Sequence, residues 1–573
     1  MKAKKYNRFK LFALCSLLGF ASCNDFDEMN IDPYAPIYDI SVIGGTAEGI
    51  DIDYTLSDAA MESIRAMESA IGSVFGNFVY EGAYNDYQIT TNLTHDIYSA
   101  YFANNVAGFQ QNSPTYSYND GWSASRWRHF YDDRTIGEYS QLLKTFYFCD
   151  KEYYHNAFYI TRIYYAFLIS MQTDTYGDIP LEYYVKGMVP PSEKVNYMPQ
   201  EKVYETIFAL LDQAIDQLGK TPTGKQYNLG DYDKCYGGDV NQWLRFANTL
   251  RLRLALRISN INPSYAEQQG VAALTHPAGL LKDDADNMKL TPKYSYNDGN
   301  ENIYTLLYEW SANVLMSQDM EMAYKNQSTI LDPRCEILWW RPTSLDDLNA
   351  KDGPKESDKD FKGMPIGELP KGKTSAETYS PSRVLLTQDQ HILDPLHWWC
   401  KAREIVWLGY AESRFLLAEA ALRGWQGIGK SAKDYYLDGI RASMEYYQIN
   451  QTKGQAAIND YIDGLKFINV FDNGSKEEQL EQIITQKWIA VFPNGNEGWA
   501  EFRRTDYPAL ANILQNTSSD VPQGKFIKRV RYPDNESSNP NKPSALQGDR
   551  VWWDVADTNN DNGARVTPNN FRN

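Results

Sequence analysis

Apolar residues recur at steps of three and four positions along several long stretches of the chain, a spacing typical of amphipathic α-helices. In "NQWLRFANTLRLRLALRIS" the apolar face includes Trp243, Phe246 and Leu250, and most of the arginines take other faces. The same spacing predicts helices in "YYHNAFYITRIYYAFLISMQTDTYGDIPL", "EKVYETIFALLDQAIDQLGK" and "EQLEQIITQKWIAVFPNGNEGWAEFRRTDYPAL". It also predicts a helix from Glu404 to Arg423, closed by a glycine as helices often are.

Strand patterns are sparse by comparison. Apolar and polar residues alternate around Lys525–Tyr532, "KFIKRVRY", but no series of alternating segments suggests a sandwich or a barrel. The pattern therefore predicts a mainly α protein in which helix pairs stack, with long loops and few short strands between them. Trp243, Trp488 and Trp499 fall within helical patterns, and we assign them to packing.

Two regions depart from the helical pattern. Residues 343–382 are rich in charge, glycine and proline, which predicts an exposed excursion. The tail from about residue 518 to 573 is rich in Asn, Asp and Pro, and Trp552 and Trp553 are its main apolar anchors. We expect this tail to wrap the surface irregularly, held by those two rings.

The first 22 residues have the organisation of a secretory signal peptide. Basic residues precede the apolar run Leu11–Phe20, and small residues follow it before Cys23. The apolar run is about half the ~20 residues that a membrane-spanning helix needs. The ending resembles a bacterial lipobox, in which Cys23 would be acylated and become the first mature residue; ordinary cleavage with a free Cys23 is the alternative. The acidic "CNDFDEMN" resembles the signal that sends bacterial lipoproteins to the outward face of the outer membrane.

Charge narrows the possible partners. The chain has a net charge of −18, and its first 22 residues carry five positive and no negative charges, so their removal leaves −23. So negative a surface repels phosphate backbones, and we expect no nucleic-acid partner. No stretch after the signal peptide approaches 18 uninterrupted apolar residues, so membrane attachment would be through lipid alone.

Cysteine and histidine spacing gives no metal motif. Cys149, Cys235, Cys335 and Cys400 lack CxxC spacing, which argues against zinc and thioredoxin-like sites. We expect buried thiols, with one disulfide bridge as the alternative. The six histidines are dispersed without HExxH, so we expect no metal and no cofactor.

Two segments imitate ligand-binding motifs. "GWQGIGKS", from Gly424 to Ser431, fits the P-loop pattern, but a P-loop must leave a buried strand, and this stretch follows a predicted helix. We interpret it as a helix-to-helix turn. "DTNNDNG", residues 557–563, begins like an EF-hand, but Pro568 stands where the bidentate glutamate should be, which favours a solvated loop.

Nothing in the sequence establishes catalysis. Arg503 and Arg504 end a predicted helix, where we expect them to satisfy carbonyls and the helix dipole. Adjacent acids such as Asp283 and Asp284 are more typical of a solvated face than of a glycosidase pair, which needs a defined separation across a cleft. No GxSxG elbow is present.

An ordered set of motifs resembles the SusD/RagB family of nutrient-binding outer-membrane lipoproteins. The set comprises "CNDFDEMNIDP", "WLRFANTLRLRLALRIS", "DPR" at 332–334, "AEAALRGW", "GIRASMEYY", "QKWIAVFPNGNEGWAEFRRTDYPAL", "RVRYPDNE" and "VWWD", and it runs from Cys23 to the last twenty residues. The resemblance implies a platform of tetratricopeptide-like stacked helix pairs that carries an irregular ligand-binding part. It also implies a lipoprotein that sits over a SusC-like TonB-dependent transporter barrel and delivers glycans, or in some branches peptides, without catalysis.

On this basis we expect one body, residues 23–573, after the signal peptide 1–22. Its platform would come mainly from about 130–260 and 400–510, and its loop-rich ligand part from about 75–125 and 280–400. The expected function is non-catalytic binding of an oligosaccharide. Aromatic residues make up 14% of the chain, and their rings can stack on the faces of sugars, while Asn and Asp side chains form hydrogen bonds with sugar hydroxyl groups. A peptide or other nutrient receptor and a surface glycosidase are the alternatives.

The hexapeptide "YSYNDG" occurs twice, at 116–121 and 294–299, in the two regions from which the family draws ligand-binding aromatics. The duplication has a simpler alternative, two similar surface turns, because Asn-Asp-Gly favours tight turns. The candidate ligand residues are Tyr116, Tyr118, Asn119, Asp120, Trp122, Tyr294, Tyr296, Asn297, Asp298, Trp310, Trp339 and Trp340.

Overall fold

A computed structural model describes most of the chain after the N-terminal region. The described residues are 50–52, 54–79, 87–104, 115–116, 120–131, 133–188, 195–290, 314–348, 350, 355, 357–368, 372–383, 404–556 and 569–571. The predicted signal peptide, Cys23, Cys400 and the segment 557–563 lie outside these ranges. Cys149, Cys235 and Cys335 are free thiols; Cys335 is buried as predicted, whereas Cys149 and Cys235 are only half-buried.

Helices dominate the described residues. In the first half they are α1 Asp58–Met67, α2 Ile71–Phe78, α3 His95–Tyr98, α4 Asp120–Ser123, α5 Ser125–Tyr131, α6 Glu138–Asp150, α7 His155–Tyr176, α8 Gln200–Leu218, α9 Val240–Arg257 and α10 Pro263–Thr275. In the second half they are α11 Gln318–Asn326, α12 Pro333–Leu338, α13 Leu345–Leu348, α14 Tyr410–Arg423, α15 Ala432–Tyr446, α16 Ile449–Thr452, α17 Gln455–Asp463, α18 Val470–Asn473, α19 Lys476–Val491 and α20 Gly495–Thr505.

Neighbouring helices pack in pairs, as the apolar spacing predicted. The main pairs are α7 with α8, α9 with α10, α14 with α15 and α14 with α19, and α9 joins the two halves by packing on α14. Trp243, Trp488 and Trp499 are fully buried in this framework, which confirms their assignment to packing. "GWQGIGKS" forms the turn between α14 and α15, with Gly424 and Gly427 at φ of 83° and 88°, a conformation that favours glycine.

The predicted helix at Glu404–Arg423 is wrong in its first part. Ile405–Leu408 form a strand, and the helix begins only at Tyr410. Gly409 separates the two in an extended conformation (φ −112°, ψ 164°), and β-branched Ile405 and Val406 suit the strand. Val406, which the helical spacing placed on the apolar face, lies in this strand and is only half-buried.

The predicted strand at Lys525–Tyr532 does not form either. Lys528 N donates to Gln547 O at 2.7 Å, and Val530 N donates to Thr175 O at 3.0 Å. These backbone groups therefore bond to two separate parts of the chain instead of to one neighbouring strand, which is how an irregular tail satisfies its polar groups.

The described strands form two short antiparallel sheets. β1 Phe102–Asn104 pairs with β3 Val314–Met316, with Asn104 opposite Val314. β2 Met288–Leu290 pairs with β4 Ile405–Leu408, with Leu290 opposite Ile405. The two sheets therefore hold Leu290 and Val314, the residues on either side of 291–313, and also Asn104, which precedes residue 105.

A charge cluster joins four of the helices in the core. Its eight side chains are Arg253 and Arg257 of α9, Glu412 and Glu419 of α14, Lys487 of α19, and Glu497, Glu501 and Arg504 of α20, all buried. Arg257 lies 2.7 Å from Glu501, and Lys487 lies 2.8 Å from Glu497. These four cations balance these four carboxylates, and two pairs at the edge of the cluster, Arg257 with Asp174 at 3.6 Å and Arg423 with Glu419 at 2.9 Å, add one charge of each sign, so the numbers stay equal as burial of charge requires.

The expectation for Arg503 and Arg504 was only partly right. Arg503 Nη1 donates to carbonyls, at 2.6 Å to Asp174 O and 3.0 Å to Lys528 O, but these belong to α7 and to the tail. Arg504 instead belongs to the charge cluster, 2.7 Å from both Glu419 and Glu501. Ion pairing, more than the helix dipole, therefore explains Arg504.

The excursion at 343–382 is less exposed than predicted, and the tail is held as predicted. Phe361 and Met364 are buried. Met364 N donates a hydrogen bond to Met316 O at 2.7 Å, which holds this part of the excursion against β3. In the tail, Trp553 is fully buried and its Nε1 donates to Asp174 Oδ1 at 2.8 Å, while Trp552 is half-buried. No helix in the described ranges is long and apolar enough to cross a membrane.

Candidate functional site

The first hexapeptide copy is only partly described. Tyr116 is buried, with 2% exposure, and its ring lies edge-on to Tyr98 at 6.1 Å. Asp120 begins α4, where its Oδ1 accepts a hydrogen bond from Asp534 N at 2.9 Å. Trp122 lies in α4, whereas Tyr118 and Asn119 lie outside the described residues. Tyr294, Tyr296, Asn297, Asp298 and Trp310 also lie outside them.

Trp339 and Trp340 occupy the core, which corrects their assignment to a ligand face. Trp339 packs against the rings of Phe102 and Phe492, with centroids 5.5 and 5.4 Å away. The Trp340 ring is covered by the guanidinium of Arg383 at 4.1 Å. Neither ring is more than 2% exposed, so neither face is open for stacking on a sugar, and the same holds for Tyr116.

The described residues nevertheless form a concave site beside the second sheet. This site, called the hollow below, is lined chiefly by Asp284, Asn287, Glu404, Trp407, Tyr410, Tyr446, Tyr447 and Asn494. Its volume is about 50 Å³, which leaves room for a few water molecules or for one small group of a larger ligand. Several of its lining side chains, including Tyr410 and Tyr446, are half-buried and line its open side.

Hydrogen bonds between separate elements fix the walls of the hollow. Asn287 Oδ1 accepts from Tyr410 N at 2.6 Å and so ties the start of α14 to the chain before β2. Asn494, which caps α20, donates from Nδ2 to Trp407 O at 3.1 Å. Tyr447 OH donates to Phe492 O at 3.0 Å. The ring- and acid-bearing walls are therefore held rigidly, as a preformed binding site requires.

Carboxylates give the hollow its charge. Glu404 lies 2.8 Å from the ammonium of Lys289 and accepts from Tyr446 OH at 3.3 Å. Asp284 Oδ1 accepts from Asn287 Nδ2 at 3.3 Å. Burial raises the pKa of Asp284, and the nearby carboxylate of Glu404 raises it further, against the lowering effects of Asn287 and Lys289. Asp284 therefore lies in a half-buried, negatively charged wall and not on the solvated face that the sequence suggested.

The hollow lies beside β2, the strand that precedes the second hexapeptide in the chain. Glu404 directly precedes β4, and Ile405 is paired with Leu290, after which the chain continues into residues 291–313. None of the hollow's side chains was among the sequence candidates, because they come from four separate stretches. The one local signal was the adjacent pair Tyr446 and Tyr447 in "GIRASMEYY".

A second concavity lies between α11 and the described part of the excursion. It encloses about 460 Å³ and is lined by side chains that include Glu321, Lys325, Lys359, Lys362 and Glu377. Lys325 lies 2.7 Å from Glu321, and Lys359 donates to Glu377 O at 2.6 Å. Only Lys325 and Glu321 of these side chains form an ion pair among the described residues, and the ring in the lining, Phe361, is buried.

Comparison with known proteins identifies what the chain resembles as a whole. A family model described as SusD-like, the SusD and RagB outer membrane lipoproteins, matches residues 51–554. No curated protein sequence matches the chain.

Solved structures of similar fold cover most of the chain. A chitin-binding SusD homologue from Flavobacterium johnsoniae is 26% identical, with a TM-score of 0.67, over 86% of this chain and 99% of that one. A SusD homologue from Bacteroides vulgatus is 26% identical, with a TM-score of 0.69, over 86% and 99%. These neighbours have the tetratricopeptide-like helical fold, which confirms the predicted fold class.

Proposed function

The chain belongs to the SusD-like family of outer membrane lipoproteins, and from that membership we propose that it is a non-catalytic receptor that binds an oligosaccharide at the cell surface. The observation that carries the proposal is the family match over residues 51–554. The similarity to a chitin-binding homologue over 86% of this chain supports a glycan as the ligand class.

The proposal includes an anchor and a partner. Cys23 would be acylated, so that lipid attaches the mature protein to the outer membrane with its body facing outward. A SusC-like TonB-dependent transporter barrel would receive the bound nutrient. The family membership supports both, as does the lipobox-like sequence before Cys23.

The chemistry of the hollow suits a sugar. Tyrosine rings present flat apolar surfaces, and carboxylate and amide oxygens accept hydrogen bonds from hydroxyl groups. Tyr410 and Tyr446 supply the rings, while Asp284, Glu404 and Asn494 supply the polar groups. Within the proposal, Trp122 and Tyr296 remain candidate contacts from the two hexapeptide regions.

Calorimetry of the purified chain against panels of oligosaccharides and peptides tests the proposal. We expect binding to at least one oligosaccharide and no cleavage of it, as followed by chromatography of the recovered ligand. Binding to peptides alone would refute the glycan assignment, and hydrolysis would refute a purely binding role.

A pair of variants tests the position of the site. Tyr410→Ala should weaken oligosaccharide binding about tenfold, since loss of one ring contact costs roughly 1 kcal/mol or more. Phe467→Ala is the matched control, because this ring is 44% exposed and does not line the hollow. Equal affinities for the two variants would place the ligand elsewhere on the protein.

A further inference from the structure

The described walls of the hollow carry more negative than positive charge. Three carboxylates line it, those of Asp284, Glu404 and Glu412. Glu412 is matched within the charge cluster, where its Oε2 lies 2.5 Å from Arg253 Nη2. Glu404 is matched by Lys289 at 2.8 Å. Among the described residues Asp284 forms no ion pair, and Lys289, the cation that acts on it, is already paired with Glu404, so these carboxylates outnumber the described cations that serve them by one.

Aromatic rings stand beside this unmatched charge. Tyr410 and Tyr446 line the hollow together with Trp407. The π-face of a tyrosine or tryptophan attracts a cation that lies within about 6 Å of the ring centre. The guanidinium of Arg414 lies 4.7 Å from the Tyr410 ring centroid, so one face of this ring is already covered by a cation of the protein itself.

Size and charge together define the group that fits. A volume of about 50 Å³ excludes a whole sugar ring from the closed part of the hollow but admits a substituent the size of an ammonium group. A neutral hydroxyl would leave the excess negative charge of these carboxylates in place, whereas a protonated amine would offset it and donate up to three hydrogen bonds.

We propose that the hollow binds the protonated amino group of an amino sugar, with Asp284 and Glu404 as its acceptors and Tyr446 as its aromatic wall. The inference rests on the proposed function, since it names the kind of oligosaccharide that the receptor takes. It predicts preference for glucosamine units over their N-acetylated counterparts, because acetylation removes the charge and enlarges the group.

The first test compares two ligands on the unchanged protein. The full chain, purified in detergent micelles, is titrated by calorimetry with a glucosamine tetramer and with the fully N-acetylated tetramer, at a pH where the sugar amine is protonated. We expect the glucosamine tetramer to bind at least about tenfold more tightly, as is typical for a hydrogen bond to a charged group. Equal or tighter binding of the N-acetylated tetramer would overturn the inference.

Variants then locate the interaction. Asp284→Asn keeps the size of the side chain and removes its charge, and it should reduce glucosamine-tetramer affinity about tenfold while leaving the affinity for the N-acetylated tetramer unchanged. The matched control is Asp358→Asn, which makes the same change at an exposed position away from the hollow. A second variant, Tyr446→Leu, should also weaken the glucosamine tetramer preferentially. Thermal melting of each variant checks that it folds.

The outcomes separate this inference from the proposed function. If Asp284→Asn and Tyr446→Leu both melt like the unchanged protein and bind both tetramers as it does, the hollow is not the amine site. If a peptide amine binds with dependence on Asp284 while the sugar amine does not, the amino-sugar assignment is wrong. If the chain binds none of the oligosaccharides of the panel, the proposed function fails.

Discussion

The buried charge cluster permits a prediction of how much stability the protein loses when one of the cluster's carboxylates is removed. Glu501 accepts from Arg257 at 2.7 Å and from Arg504 at 2.7 Å, and Lys487 lies 3.3 Å away. The substitution Glu501→Gln keeps the shape of the side chain but leaves four buried cations against three carboxylates. Removing one partner from a buried ion pair costs about 3–5 kcal/mol, because the remaining charge stays desolvated without compensation. We therefore expect a loss of that order in the free energy of unfolding.

Urea denaturation followed by circular dichroism measures this loss from the shift in midpoint at constant slope. The matched control is Glu205→Gln, because Glu205 also pairs with a lysine, Lys202, at 2.8 Å, but its side chain is 44% exposed. A surface pair contributes at most about 1 kcal/mol, so the control should hardly shift the midpoint. Equal shifts for Glu501→Gln and Glu205→Gln would refute the reasoning.

A double variant separates charge balance from loss of particular hydrogen bonds. Lys487→Met removes one buried cation, so Lys487→Met combined with Glu501→Gln restores equal numbers of the two charges. If charge balance governs stability, the double variant should lose less than the sum of the two single losses, by more than about 0.5 kcal/mol. Strict additivity would show that the individual contacts matter and the balance does not.

Three further substitutions test the pKa of a carboxylate in the charge cluster, the anchoring of the tail and the packing of α14 against α15. Burial tends to raise the pKa of Glu419, but Arg504 and Arg423 outweigh it and hold this pKa at about 2, below the ordinary value of about 4.3. Its stabilising contribution should therefore be complete above about pH 5 and be lost as the pH falls through about 2, and urea midpoints across that range should fall less steeply for Glu419→Gln. Trp553→Ala should cost about 3–5 kcal/mol in urea unfolding and Trp552→Ala clearly less, since only Trp553 is fully buried; equal losses would contradict the assigned anchor. Gly439→Ala should lower the melting temperature although alanine favours helices, because the added methyl would lie 2.7 Å from the Phe415 ring; a rise would show that α14 and α15 can move apart at no cost.

The helical frame was predictable from the sequence because one physical signal, the apolar face, repeats along each helix. The prediction failed where the pattern of apolar residues fits more than one kind of structure. At Ile405–Leu408 the apolar spacing fits both a helix and a buried strand, and Gly409 was the only local mark of the boundary. At Lys525–Tyr532 alternation suggested a strand, but the partners of its backbone lie in α7 and in the tail, which no local pattern reveals.

The site was harder to predict because composition does not distinguish a ring that packs from a ring that binds. Trp339 and Trp340 had the residue type and position expected of ligand contacts, yet both lie in the core. Asp284, in turn, had the appearance of a solvated acid. Its surroundings come from Asn287, Glu404 and α15, and only the tertiary packing brings these together.

The two short sheets also bear on how such a protein can be engineered. Because Asn104 is paired with Val314 and Leu290 with Ile405, the frame fixes where the intervening chain begins and ends, whatever its sequence. The entropy cost of closing a flexible connection grows only slowly with its length. Replacing residues 291–313 by a stretch of different length should therefore cost the helical frame little stability, because Leu290 and Val314 stay held by the two sheets.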